Sequence, residues 1–382
     1  MSDTQGSAVG PAPSLSEKVL FWASFLTLIA AGIGFSVRGV ILKDWGNQFG
    51  FTQSELGTIT GGGLVGFGLA IIFFSFCADL FGYGKLMLVA FMLHASSAVV
   101  TFAATPVFAA YGKEGAYWCL YVGMWLFALG NGTCEAVINP LTATLFPRNK
   151  THWLNILHAG WPLGLILGAV IVLGFGQAGV PIRWEYKLGV FLIPVVLYGL
   201  LMFNRPFPRS EASTSGISLG TSIATLFAPI LLFLFLLHAL VGYVELGTDS
   251  WITNITEQVL ENQNLALLAF IWTNLLMFTL RFFAGPIVHK INPIGLLFVS
   301  AILGTTGLYL LGQKFTNSVW PWSSRRACQS RMREGSSHRF HDCGPTGYPN
   351  RASSARRSSR YVAASWISVH PAGSSSADAI SS

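Results

Sequence analysis

The chain has 382 residues, of which 52% are hydrophobic and only 10% charged, against roughly 25% charged in a soluble domain. That supply cannot cover a water-facing surface of ordinary make, so a membrane protein comes first. The net charge of +7 does not point to nucleic acid. Nine of the 23 basic residues and three of the 16 acids lie in 323–382, which leaves 14 bases against 13 acids in the body.

Residues 1–18 are polar and rich in Gly, Ser and Pro, and read as a disordered start. Apolar runs then recur at about 19–42, 54–77, 86–104, 117–139, 154–176, 188–203, 222–246, 264–283 and 294–312. Most reach the ~20 residues that carry a helix across a bilayer, although 188–203 is short. The first run is too long for a signal-peptide core and has no convincing cleavage site, so no processing is expected. A cytoplasmic N-terminus places eight Lys and Arg inside (Lys18, Lys85, Arg148, Lys150, Arg205, Arg209, Arg281, Lys290). It places six outside (Arg38, Lys43, Lys113, Arg183, Lys187, Lys314), and the small excess favours that orientation.

Arg38, towards the end of the first run, is costly at such depth. It either snorkels to the outer interface or serves as a cavity cation that meets an acid or a substrate hydroxyl. In the second run, Gly61-x-Gly63-x-x-Gly66 has the spacing of a dinucleotide-binding turn, but it follows no strand and no acid stands about 20 residues on. Close helix packing explains it.

The fourth run holds GNGTCEAVINP, 130–140. On a helix Asn131, Glu135 and Asn139 share one face at i, i+4 and i+8. A carboxylate at bilayer depth costs at least ~2.5–3.5 kcal/mol on insertion scales, so Glu135 faces protein or a wet cavity. It is either a protonated packing acid or part of a substrate or proton site, and the second reading is preferred here. The fifth run adds Asn155 and His158, three apart on one face, and a stripe of Gly160, Gly164 and Gly168 that lets another helix approach. His158 is read either as a bonded structural residue or as a cavity residue.

The segment 205–221 is rich in Pro, Ser and Gly and reads as a cytoplasmic linker. It separates a bundle of six predicted helices, 19–204, from three more in 222–312. In the seventh run His238, Gly242, Glu245 and Asp249 form one stripe, with Asp249 placed at the outer mouth. After residue 312 the character changes, and 313–382 is rich in Arg and Ser, lacks Lys beyond Lys314, and has no run able to span. A shift of reading frame near Asn317 is preferred over a disordered basic tail. Cys77, Cys119, Cys134, Cys328 and Cys343 have no metal or disulfide spacing, and no nucleophile–base or metal constellation suggests an enzyme. No cofactor is expected.

The stretch SFCADLFGYGK, 75–85, resembles the loop between helices two and three of the major facilitator superfamily, G-x-x-x-D-x-x-G-x-x-[KR]. Asp79, Gly82 and Lys85 fall on the pattern, and Ser75 replaces the first glycine. RFFAGPIVHKINP, 281–293, is a degenerate second copy that opens with Arg281; Gly285 matches and His289 stands where the acid would be. One such loop per half fits the parallel repeat of that fold. The resemblance implies a gating role for Asp79, Gly82, Lys85 and Arg281. G-x-G-x-x-E-x-x-x-N-P at 130–140 with LN-x-x-H at 154–158 is similar to the fucose permease-like sugar:proton symporters of the superfamily, and Glu245 to the helix-seven acid of glucose-transporting members. That likeness implies roles in proton coupling and sugar recognition for Glu135. An acid in helix one, present in fucose permeases, is lacking here, which leaves coupling open.

The sequence therefore predicts an all-α membrane protein of the major facilitator fold, with two helix bundles, about nine transmembrane helices and an incomplete second bundle. Its expected function is secondary active transport of a small solute, by preference a sugar, with protons as a second partner and the lipid bilayer around it. Glu135, Asn131, Asn139, Asn155, His158, Glu245 and Arg38 are the candidate cavity residues. An organic anion or drug as cargo, with Arg38 as its counter-charge, and a non-transporting fragment are the rivals.

Overall fold

A computed structural model of the protein describes residues 14–177, 182–210, 216, 219–283 and 293–312. The tail after residue 312 and the second-half loop with Gly285 and His289 lie outside the described residues. The chain divides into two compact units, Met1–Asn292 and Pro293–Ser382. Among the described residues the regular structure is all helix. The first unit contains α1 (Leu15–Phe49), α2 (Gln53–Phe81), α3 (Tyr83–Phe102), α4 (Ala104–Leu145) and α5 (Lys150–Gln177). It continues with α6 (Trp184–Gly189), α7 (Leu192–Met202), α8 (Leu219–Leu226), α9 (Pro229–Leu260) and α10 (Gln263–Phe282). The second unit contributes one described helix, α11 (Pro293–Gly312).

Local chemistry sets the helix ends. Ser14 with Glu17, and Thr52 with Glu55, form reciprocal capping boxes that open α1 and α2. Gly50, in the left-handed region at φ 71°, ends α1. Pro229 opens α9, where its missing N–H costs nothing. Among the described residues seven helical segments are long and apolar enough to cross a membrane. The polar α4 is not among them, and its run carries Asn131, Glu135 and Asn139.

Three elements differ from the sequence reading. The short run 188–203 gains α6 and forms a 19-residue span, Trp184–Met202. The polar stretch between the third and fourth runs is helical from Ala104, interrupted only at Gly112, whose φ of 70° needs glycine. The seventh helix runs on to Leu260. That places Glu245 and Asp249 well inside it, and Asp249 is not at its end.

Close glycine contacts hold the N-terminal spans together. The Gly160–Gly164–Gly168 stripe of α5 lies on α1, and a methyl on Gly164 would meet the Ile29 carbonyl oxygen and the Gly32 backbone. Gly62, Gly63 and Gly66 of α2 seat Tyr121, Trp125 and Met124 of α4. The glycine pattern at 61–66 is therefore a packing surface, although Gly61 itself faces open space. Two-thirds of the most apolar window of α1 is buried, against 22% for α2, so α1 runs through the interior of the unit. Outward apolar side chains such as Leu69, Phe73 and Phe233 are what a lipid-facing surface requires. Helix α10 packs along α5, and α9 packs on α10.

Candidate functional site

Within the first unit a cavity of about 400 Å³ opens between α1, α2, α4 and α5 on one side and α9 and α10 on the other. Phe35, Phe67 and Trp161 supply apolar walls, and Asn131, Glu135, Asn139 and His158 supply a polar one. The local sequence explains why that wall is polar and precise. Pro140 and Pro162 lie inside α4 and α5. Each removes the amide that would have bonded the carbonyl four residues earlier, here Ala136 and His158.

Three of the wall residues form one hydrogen-bonded chain. Asn139 Nδ2 donates to Glu135 Oε2 at 2.8 Å and to the Glu135 carbonyl at 3.2 Å. Asn139 Oδ1 lies 2.9 Å from His158 Nε2. A carbonyl oxygen only accepts, so His158 carries its proton on Nε2 in this arrangement. The amide thus bridges a carboxylate and an imidazole that stand on different helices.

The facing wall is built by α9 and α10. His238, Gly242, Glu245 and Asp249 all line the cavity, as the stripe spacing requires. Glu245 Oε1 pairs with Arg281 Nη2 at 3.0 Å, both side chains about one-third exposed. Asp249 lies one turn further along, and its Oδ2 is buried without a hydrogen-bond partner.

The structure puts several sequence candidates elsewhere. Arg281 sits on the cavity wall beside Glu245 and far in sequence from the α2–α3 turn with which it was grouped. That turn is the single residue Gly82, at φ 81°, with Asp79 exposed at the end of α2 and Lys85 exposed at the start of α3. Asn155 does not line the cavity; its Nδ2 donates to the Thr151 carbonyl at 2.9 Å. Arg38 does line the cavity, but it neither snorkels nor meets an acid. It lies in mid-helix because α1 continues to Phe49, and it is 1% exposed. Its guanidinium stacks 3.9 Å from the Phe127 ring centre and donates to the Gly34 carbonyl and to Ser97 Oγ. It is therefore not an outside loop charge.

The sequence reading missed Ser36, Thr60, Ser250, Thr253 and Asn254, which line the cavity, and one buried histidine behind its wall. His94 of α3 is fully buried, with Nδ1 2.9 Å from the Tyr198 hydroxyl and Nε2 2.9 Å from Asn131 Oδ1. The available signal was a lone imidazole inside an apolar span, which must find partners on neighbouring helices. Among the described residues no cluster of His, Cys, Asp and Glu could hold a metal.

Comparison with known proteins agrees with this architecture. No curated protein matches the chain. The solved structure of a D-xylose-proton symporter superposes with a TM-score of 0.51 at 17% identity, covering 72% of this chain and 69% of that one; at that identity the likeness is one of fold. The family model described as Major Facilitator Superfamily matches residues 24–327. A match of that length, on stacked apolar helices that enclose a cavity with polar side chains on its wall, makes this chain a multi-pass membrane transporter of the Major Facilitator Superfamily and not an enzyme.

Proposed function

We propose that the protein carries a sugar across the membrane, coupled to protons, by alternating access around the cavity. The observation that carries this reading is the chain Glu135–Asn139–His158 on a wall that also offers Phe35, Phe67 and Trp161. Hydroxyl-rich solutes need fixed donors and acceptors together with flat apolar surface, and the cavity volume suits a small ligand. The fold shared with a D-xylose-proton symporter supports the cargo class and the proton.

Glu135 is the proposed carrier of the coupling proton, and Glu245 with Arg281 the polar contact of the opposite wall. Asp79, Gly82 and Lys85 form the gating turn. The N-terminus is cytoplasmic, and the six-helix bundle 19–204 moves against the helices that follow the 205–221 linker. The cavity carries Glu135, Glu245 and Asp249 against Arg281 and Arg38, and Arg38 directs its charge into Ser97 and Phe127. That balance favours a neutral cargo over an organic anion.

The test is uptake by proteoliposomes of radiolabelled D-xylose, D-glucose and L-fucose under an imposed pH gradient, with excess carboxylates as competitors. Saturable uptake that sugars compete and carboxylates do not is expected, with Glu135→Gln abolishing pH-driven accumulation while leaving exchange. Unchanged accumulation in Glu135→Gln removes the proton role. Competition by carboxylates alone reassigns the cargo, and no uptake of any solute leaves a non-transporting fragment.

A further inference from the structure

Asn131 lines the cavity on the turn of α4 before Glu135 and is 7% exposed. Its orientation is set from behind, by a residue that touches no cavity space. His94 is enclosed by Phe127, Phe191 and Tyr198, with ring centres 5.9, 5.6 and 6.1 Å away. A methyl on Gly130 would strike its ring. The Gly130-Asn131-Gly132 triplet is thereby explained. Gly130 seats the imidazole of α3, Gly132 seats Ala70 and the Phe67 carbonyl of α2, and Asn131 is left pointing to the cavity.

The polarity of the chain follows from Asn131 facing His94 with its oxygen. His94 bonds two neutral groups, a phenol and an amide, and no carboxylate, so at full burial the ring is neutral and holds one proton. Asn131 Oδ1 can only accept, so that proton is on Nε2. Nδ1 is then a lone pair, and the Tyr198 hydroxyl donates to it. Turning the amide over would require the opposite tautomer, with Nδ1–H donating to the Tyr198 oxygen, so the tautomer and the orientation of Asn131 are tied together.

We infer that His94 is a specificity-determining positioning residue, which locks Asn131 so that it presents to the cavity a hydrogen-bond donor and no acceptor. On the same helix face Glu135 follows four residues on, about 6 Å along the axis, and its carboxylate accepts. The α4 wall therefore selects a polyhydroxylated ligand that offers an oxygen acceptor to Asn131 and a hydroxyl donor to Glu135. This rests on the sugar reading for the identity of the ligand, but the tautomer of His94 does not.

The first experiment is therefore independent of cargo. The purified full chain is labelled with 15N-histidine, and the His94 resonances are assigned by their loss in His94→Gln. An Nε2–H tautomer is expected, turning to a mixture in Tyr198→Phe. An Nδ1–H tautomer in the wild type overturns the inference whether or not the protein carries sugar. The second experiment uses D-xylose, D-glucose and L-fucose exchange in proteoliposomes. His94→Phe and Asn131→Asp, which replaces donor by acceptor, are expected to raise KM about tenfold or more with kcat changed far less, the value of about one lost hydrogen bond. His94→Gln, whose amide N–H stands near the place of Nε2–H, is expected to keep KM within about threefold. An unchanged KM in both His94→Phe and Asn131→Asp refutes the positioning role. Absence of exchange in the wild type refutes the sugar reading alone, since the tautomer still decides the orientation of Asn131. If His94→Phe does not fold, Tyr198→Phe and Asn131→Asp carry the same comparison.

Discussion

Replacement of Arg38 by methionine separates two accounts of a buried cation. In the structure the guanidinium gains two charge-assisted hydrogen bonds, to Gly34 O at 3.1 Å and Ser97 Oγ at 2.9 Å, and a stacked ring at 3.9 Å. Those contacts are worth about 1.5–3 kcal/mol per bond and about 2 for the ring, so roughly 5–8 together. Against them stand several kcal/mol for desolvating the charge and about 1–3 for Nε, which is buried without a partner. The two sides nearly cancel. Methionine leaves nothing orphaned, because Ser97 Oγ still donates to the Gly123 carbonyl at 2.9 Å. Arg38→Met is therefore expected to keep Tm within about 4 °C, at roughly 2–4 °C per kcal/mol, and sugar uptake within about threefold. Fluorescence-detected melting in detergent and proteoliposome uptake provide the readings. A fall of more than about 10 °C, the signature of an uncompensated buried partner, would refute the balance worked out above. Loss of uptake at unchanged Tm would return Arg38 to the cargo site.

Other perturbations test separate links. Gly164→Leu drives a side chain into the backbone of α1 at Ile29 and Gly32, and is expected to cost more than about 3 kcal/mol and most of the folded yield on size exclusion. Gly174→Ala, where a methyl meets nothing within 4 Å, is the matched control and should elute as wild type. Asn139→Leu cuts the bonds to both Glu135 and His158; uptake should fall at least about tenfold, with Tm moved far less. Lys43 of α1 pairs with Glu257 of α9 at 3.1 Å, with the lysine 62% exposed. A pair so exposed contributes at most about 1 kcal/mol, so Lys43→Glu should shift Tm by less than about 4 °C. If the pair helps close α1 on α9, uptake by Lys43→Glu changes severalfold and the swap with Glu257→Lys restores it; an unrestored swap discards that contact as a latch.

Much of the scaffold was legible because bilayer crossing is a local property. A run such as 54–77 declares itself by length and hydropathy, since no backbone group in lipid can go without an internal partner. The i, i+4, i+8 spacing likewise places Asn131, Glu135 and Asn139 on one face of α4 before any neighbour is known, and three glycines in a stripe announce a helix contact without naming its partner. Helix limits were less legible. The ends of α6 and α9 continue through residues as polar as Glu185 or Glu257, where helical hydrogen bonds cost nothing in water and hydropathy carries no signal.

What the chain determined alone is thus the course of its apolar runs, their small-residue faces and the presence of acids that demand company. Tertiary structure decided which company each acquires. Arg38 and Glu135 are both charges in apolar helices, alike in cost on a hydropathy scale. Both line the cavity, but packing engages the guanidinium with Phe127 and Ser97 and leaves the carboxylate to Asn139. His94, unremarked in its run, becomes the partner of Asn131 only because Gly130 lets α3 and α4 meet, and Arg281 meets Glu245 across 36 residues. Burial energy depends on what lies opposite in space, and sequence spacing reports only what lies alongside on the same helix.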